Sequence, residues 1–182
     1  MKNTLDYTQK LDDKYVVLGV AFDWGRRKGL DIFIELSRRL PKELYRIVLV
    51  GTDNNIDGQL PKEILSIHRT QNQHQLAELY TLADVFLIPT REENYPTVNM
   101  ESLACGTPVV TFRTGGSPEM LNDKTGIVVE VNDVEATEKA IKDICEKKRC
   151  NDKEYIVTYS RKFDMRKKFT EYIELYSTVL EE

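Results

Sequence analysis

Short apolar runs recur along the chain, and between most of them the apolar positions change to helical spacing. Tyr15 to Val20 (YVVLGV) is apolar throughout and reads as a buried strand. Leu30 to Leu40 carries apolar residues at 30, 33, 36 and 40, a helical period that Pro41 ends. Tyr45 to Val50 is a second strand, stopped at Gly51 and followed by a polar loop, TDNNIDG. The same alternation then repeats. Ile64 to Ile67, Val85 to Ile88, Pro108 to Phe112 and Ile127 to Val131 read as strands three to six. Leu76 to Leu82 and Thr97 to Ala104 read as helices, and Ser117 to Leu121 as a helical turn. Asp133 is placed to cap a helix running through Cys145. Asp164 is placed to cap a last amphipathic helix, about 164–180, with Phe169, Tyr172, Tyr176 and Val179 on its apolar side.

Strands that are apolar on both faces and alternate with helices predict a parallel sheet covered on both sides. The expected fold class is α/β, a Rossmann-like doubly wound sheet of about six strands. No repeat, low-complexity tract or internal linker interrupts it. Residues 15–182 form the expected domain, and residues 1–14 read as a polar lead-in left from an interdomain linker. In such sheets ligands bind beyond the carboxyl ends of the strands. The segments to inspect are therefore Ala21 to Lys28, Gly51 to Gly58, His68 to Asn72, Pro89 to Pro96 and Arg113 to Ser117.

Composition narrows the function classes. The 182 residues are 41% hydrophobic and 31% charged with a net charge of −4, an ordinary globular balance. No general attraction to nucleic acid or to an anionic membrane follows. The basic clusters at Arg26 to Lys28, Lys147 to Arg149 and Arg161 to Lys168 read first as solvated helix ends. Three cysteines without metal spacing suggest reduced thiols in a cytoplasmic protein. There is no leader-like apolar segment and no run long enough to span a membrane. No nucleophile triad, clustered carboxylates of a metal-dependent transferase or phosphate loop of the GxxxxGK[ST] kind is present.

The stretch EENYPTVNMES stands on the crest after strand four. Glu93 lies in the loop, Pro96 at the helix start and Glu101 in the second helical turn. Free amides near Thr97 and Val98 make a site for phosphate. Carboxylates beside it would repel phosphate but accept hydroxyls well. A ligand with hydroxyls at both ends and a diphosphate between them satisfies all three features. Two acids with seven residues between them also occur on ordinary solvated surfaces, and spacing alone does not choose. His68 and His74 read as a partly buried polar side chain and a surface residue. Trp24 either covers a ligand or packs its loop.

Glu93 to Glu101, with SLACGTPVV and TGGSPEM after it, resembles the carboxyl-terminal domain of retaining glycosyltransferases of group 1, or family 4. Arg27-Lys28-Gly29-Leu30, Val48 to Gly51 and LAELYTLADVFLIP fall in the matching order, so the resemblance covers about residues 15 to 145. It implies one half of a GT-B architecture and transfer of a hexosyl unit from a UDP-, GDP- or ADP-linked sugar. The acceptor would be a glycan or lipid-linked glycan in cell-surface polysaccharide biosynthesis. It implies Glu93 and Lys28 as catalytic residues, with Glu93 holding the transferred sugar and Lys28 offsetting charge on the leaving phosphate. Glu101 would accept ribose hydroxyls. Backbone amides near Pro96 to Val98, with Thr97 the first donor, beside Asn94 and Tyr95 and together with Lys28, would hold the diphosphate. Arg69 and Thr70 would lie against the base, and Gly115 and Gly116 would form a tight turn of positive φ. No metal or other cofactor is expected.

One departure stands out. Where the family has a Gly-Arg pair ahead of the lysine, this chain reads Ala21-Phe22-Asp23-Trp24, and Arg27 is the favoured substitute cation. The family sets its active site between two such domains, so the chain is expected to be a donor-binding half, inactive alone. The missing amino-terminal acceptor-binding domain would be its partner, and the last helix would dock there. The full enzyme is expected in the cytoplasm, at the inner face of the membrane through peripheral attachment. The alternatives are a nucleotide-sugar epimerase half-domain and a non-catalytic nucleotide-binding module.

Overall fold

The computed structural model describes residues 13–180. The lead-in expected over residues 1–14 lies almost wholly outside them. Six parallel strands form one sheet in the order β3-β2-β1-β4-β5-β6: β1 (Tyr15–Val20), β2 (Tyr45–Val50), β3 (Ile64–Ile67), β4 (Val85–Ile88), β5 (Val109–Phe112) and β6 (Gly126–Val129). The helices are α1 (Leu30–Arg39), α2 (Asn54–Asp57), α3 (Gln73–Leu82), α4 (Thr97–Ala104), α5 (Val134–Cys145), α6 (Lys153–Ser160) and α7 (Met165–Leu180). Short 3₁₀ turns occupy Pro118–Met120 and Arg161–Phe163.

Alternate strand residues point to opposite faces and build two cores. On one face Val17, Leu49 and Leu87 meet Phe33 and Leu36 of α1 and Ile141 and Ile144 of α5. On the other, Leu18, Val48 and Phe86 meet Leu79 and Tyr80 of α3, Leu103 of α4 and Ile156 of α6. Every residue of β4 and β5 is buried, as strands sandwiched between helix layers must be. This strand order turns direction between β1 and β4, and the crest above those two strands is the switch point at which doubly wound sheets take ligands.

Several boundaries differ from the sequence reading. TDNNIDG is not all loop: Asp53 Oδ1 accepts the amides of Asn55 and Ile56 at 2.9 Å and caps the one-turn helix α2. Helix α3 begins at Gln73 rather than Leu76, because Asn72 accepts the Gln75 amide. Helix α1 stops at Arg39, one residue early. Strand β5 starts at Val109, because Pro108 has no N–H to offer a ladder. Strand β6 is shifted to Gly126–Val129. Helix α6 was not expected at all. Asp152 caps it through the Tyr155 amide, and Ile156 anchors it in the second core.

The expected last helix is α7, and Asp164 Oδ1 does accept the Lys167 amide at 3.0 Å. No residue of α7 is buried. Phe169, Tyr172, Ile173, Tyr176, Val179 and Leu180 are all exposed, so its apolar side has no partner among the described residues. No described helix is long and apolar enough to cross a membrane.

Candidate functional site

The loop after β1 and the loop after β4 enclose an open cavity of about 280 Å³ at the switch point. Arg27, Lys28, Glu93, Pro96, Thr97 and Val98 line it, together with Phe22, Asp23 and Trp24. Gly29 lets the first loop close onto the second. Its φ is +75°, and an added Cβ would stand 2.3 Å from the Pro89 carbonyl oxygen.

Lys28 and Glu93, 65 residues apart, meet as an ion pair with Nζ to Oε2 at 2.7 Å. Their side chains retain 21% and 17% exposure, so water screens the pair only partly. The remaining Glu93 oxygen accepts the Asn94 amide at 3.2 Å. Arg27 is more exposed and pairs at 3.4 Å with Asp23, which occupies the segment where the family's arginine is absent. Phe22 is fully exposed at the mouth of the cavity.

Helix starts supply the next feature. Among helices rising from the crest, α2, α3 and α5 are capped by Asp53, Asn72 and Asp133. The two that flank the switch point, α1 and α4, begin at Gly29 and Pro96 with no side-chain cap. At α1 the Leu30 and Ile32 amides are already taken by the Gly25 and Gly29 carbonyls, whereas at α4 the Thr97 and Val98 amides, with the partial positive charge of the helix start, are left to solvent or to a ligand.

Other expected residues lie outside the cavity lining. Glu101 stands exposed on α4 and accepts a hydrogen bond from the buried Tyr80 hydroxyl at 3.1 Å. Burial, and after it the Glu101 carboxylate, push the Tyr80 pKa up, so this hydroxyl stays a donor. Asn94 and Tyr95 do not line the cavity. The Asn94 carbonyl takes the Gly116 amide at 2.5 Å, and Tyr95 packs edge-on toward Phe163. Gly115 has φ +49°, as a tight turn needs, whereas Gly116 does not adopt positive φ. Both press on the back of the Glu93–Tyr95 segment and so fix its path. Arg69 and Thr70 follow β3, two strands from β1, and do not reach the cavity.

Trp24 packs its loop: it is buried, donates to the Val50 carbonyl at 3.0 Å and meets Phe33 edge to face. His68 is exposed rather than partly buried, and Nε2 lies 2.6 Å from Asp57 Oδ2.

Three features escaped the sequence. Arg91 reaches Asp31 through both guanidinium nitrogens at 2.8 Å and Asn132 Oδ1 at 2.7 Å. Asn99 Nδ2 donates to Ser117 Oγ at 2.8 Å, and Ser117 Oγ lies 2.7 Å from Thr111 Oγ1, which ties α4 to the turn behind it. Tyr80 holds Glu101. Only Arg91 gave a signal, as a cation inside a crest loop already under inspection; the other partnerships join residues that are remote in sequence.

The geometry defines a class first: a Rossmann-like domain whose switch-point cavity joins a cation, a carboxylate and one open helix start. The match to the family described as "Glycosyl transferases group 1" spans residues 4–163, and the chain belongs to that family. A D-inositol 3-phosphate glycosyltransferase of Xylanimonas cellulosilytica is 31% identical over 117 residues, 58% of this chain and 28% of that protein. A GDP-mannose-dependent phosphatidylinositol monomannoside mannosyltransferase of Mycolicibacterium smegmatis is 34% identical over 135 residues, 65% of this chain and 35% of its own length. The chain thus spans about a third of these relatives.

Solved structures give the same fold. Sucrose-phosphate synthase of Thermosynechococcus elongatus matches with TM-score 0.72 at 24% identity, over 97% of this chain and 49% of that one. HepE of Anabaena, solved with UDP-glucose, matches with TM-score 0.78 at 18% identity, over 96% and 51%. The domain is a Rossmann-like half of a GT-B glycosyltransferase fold.

Proposed function

We propose that this chain is the donor-binding half of a retaining glycosyltransferase, which moves a hexosyl unit from a nucleotide-diphosphate sugar to a glycan or lipid-linked acceptor. The observation that carries the reading is the meeting of Lys28, Glu93 and the uncapped α4 start in one cavity at the switch point. A diphosphate is dianionic or more and demands donors and positive charge. Lys28, Arg27 and the Thr97 and Val98 amides supply both, and no metal is invoked. As the glycosidic bond breaks, negative charge grows on the phosphate, and a fixed ammonium beside it lowers the barrier.

Glu93 suits the sugar, since a carboxylate accepts two hydroxyls at once. Phe22 supplies an apolar face for the C–H side of a pyranose. Glu101, held by Tyr80, suits the ribose hydroxyls, and the Arg69–Thr70 loop the base. The cavity is smaller than the roughly 300–1,000 Å³ that encloses a drug-sized ligand, which fits half of a two-sided cleft. The bare apolar side of α7 is offered to the missing amino-terminal half. One relative is GDP-mannose-dependent and one structural neighbour was solved with UDP-glucose, so the donor is drawn from UDP-, GDP- and ADP-linked sugars. Synthesis of cell-surface polysaccharide at the inner face of the membrane fits the phosphatidylinositol monomannoside in the name of the Mycolicibacterium smegmatis relative.

Calorimetric titration of the wild type and Glu93→Gln with UDP-glucose against UDP, and GDP-mannose against GDP, tests this. One nucleotide sugar should bind the wild type more tightly than its free nucleotide, and Glu93→Gln should erase that difference. An undiminished difference in the variant contradicts the assignment of Glu93. With the acceptor side absent, the purified chain should transfer no sugar, because alignment of both reactants supplies much of the rate.

A further inference from the structure

We infer that Arg91 is a positioning residue that holds the two walls of the cavity in register and so sets the Lys28–Glu93 pair. Arg91 sits two residues before Glu93, on the β4–α4 loop. Its backbone amide donates to the Arg27 carbonyl at 2.9 Å, and its guanidinium donates to the Arg26 carbonyl, so it grips the loop that carries Lys28. Both terminal nitrogens also fork onto Asp31, in the first turn of α1, at 2.8 Å each. Nε donates to Asn132, which has φ +67° in the turn after β6 and is held there in a conformation asparagine tolerates better than most residues.

One side chain thus joins the first loop, α1, the second loop and the β6–α5 turn. The guanidinium suits this, because its planar fork directs five N–H groups at fixed angles. The Arg91 side chain is only 17% exposed, so these bonds are partly shielded from water. The Asp31 carboxyl is held below the usual carboxylate range, first by its hydrogen bonds to Arg91. Arg91 itself does not line the cavity, so it acts through Lys28 and Glu93 rather than on a ligand.

The consequence for donor binding rests on the reading proposed above; the consequence for Lys28 does not. Competitive labelling with acetic anhydride, read by peptide mass spectrometry, reports how firmly Lys28 is held without any ligand. Arg91→Ala should raise labelling at Lys28 several-fold and leave Lys139, on α5, unchanged. Asp31→Asn, which keeps the other Arg91 bonds, should give a smaller rise, and it serves if Arg91→Ala fails to fold. Equal labelling of Lys28 in wild type and both variants would overturn the inference.

UDP titration adds a readout that general destabilisation would not give. Arg91→Ala should weaken UDP binding about tenfold in the wild-type background, yet have almost no effect in Lys28→Ala, since both act through one group. Equal losses in the two backgrounds would mean a structural role only and also overturn the inference. A wild type that binds no nucleotide, with Lys28 labelling still raised in Arg91→Ala, would sink the donor reading and leave the clamp standing.

Discussion

Gly115→Ala probes how firmly the Glu93 loop is built. Gly115 has φ +49°, a region that costs a residue with a Cβ about 1–2 kcal/mol. The new methyl would also stand 1.9 Å from the Glu93 carbonyl oxygen, 2.7 Å from its carbonyl carbon and 2.9 Å from the Asn94 carbonyl oxygen. All three neighbours are backbone, so rotation of a side chain cannot relieve the clash. Forcing the loop aside costs about another 1–3 kcal/mol. The sum, roughly 2–5 kcal/mol, corresponds to a fall in Tm of about 5–15 °C for a chain of this size. Gly58→Ala is the control: its φ of −64° and ψ of −17° suit alanine, and its nearest neighbours lie at 3.6 and 3.7 Å. That variant should gain about 0.4–1 kcal/mol by restricting the unfolded chain. Thermal unfolding followed by circular dichroism measures both. In Gly115→Ala, nucleotide-sugar binding should fall as Glu93 leaves Lys28. A Tm within about 1 °C of wild type, with binding unchanged, would refute the reasoning, since the clash is then absent.

Other variants test separate links. Tyr80→Phe removes the hydroxyl that donates to Glu101 and should cost about 0.5–1.5 kcal/mol by urea unfolding, at the low end because water can replace it at the exposed carboxylate. It should weaken nucleotide binding by a few-fold. Asp31 has a lowered folded pKa, so its contribution to stability is complete above its ordinary value of 3.8 and is lost as the pH falls through the folded value. Wild type and Arg91→Ala should therefore differ in stability near neutral pH and converge in acid; a gap that widens in acid contradicts the sign. Cys145 is buried, and desolvation, followed by the Asp84 charge, pushes its pKa up to about 12. At about pH 8 a disulfide reagent should leave Cys145 unmodified until the chain unfolds.

Strands and crest loops were legible in the sequence for one physical reason. Parallel strands buried on both faces must be largely apolar, and β1 to β4 each occupy such a run with unchanged ends, broken only by Arg46 and Ser66 at half-buried positions. Helix α6 was not legible, because the β-branched and aromatic residues of YIVTY favour a strand, and the helix buries Ile156 alone. Lys28, Glu93 and the α4 start were readable as a motif, and the fold brings them together. Arg91 was not readable as a clamp. Its partners lie 60 and 41 residues away, and nothing local in TREENYP announces Asp31 or Asn132. Tyr80 looked like one more apolar helix residue, and only the packing of α3 beside α4 turns its hydroxyl to Glu101. The roles expected of Asn94, Tyr95 and the glycine pair shift for a similar reason: the turn after β5 packs behind the Glu93 loop, a tertiary contact with no local signature.

Calorimetric titration of the chain with UDP, GDP and ADP, beside Glu101→Ala, tests donor binding most directly. One nucleotide should bind selectively with a dissociation constant on the order of 0.1–1 mM, roughly 4–5 kcal/mol for half a cleft, and Glu101→Ala should abolish that binding. Absence of binding by all three at millimolar concentration, or binding that Glu101→Ala leaves unchanged, would contradict the donor-site assignment.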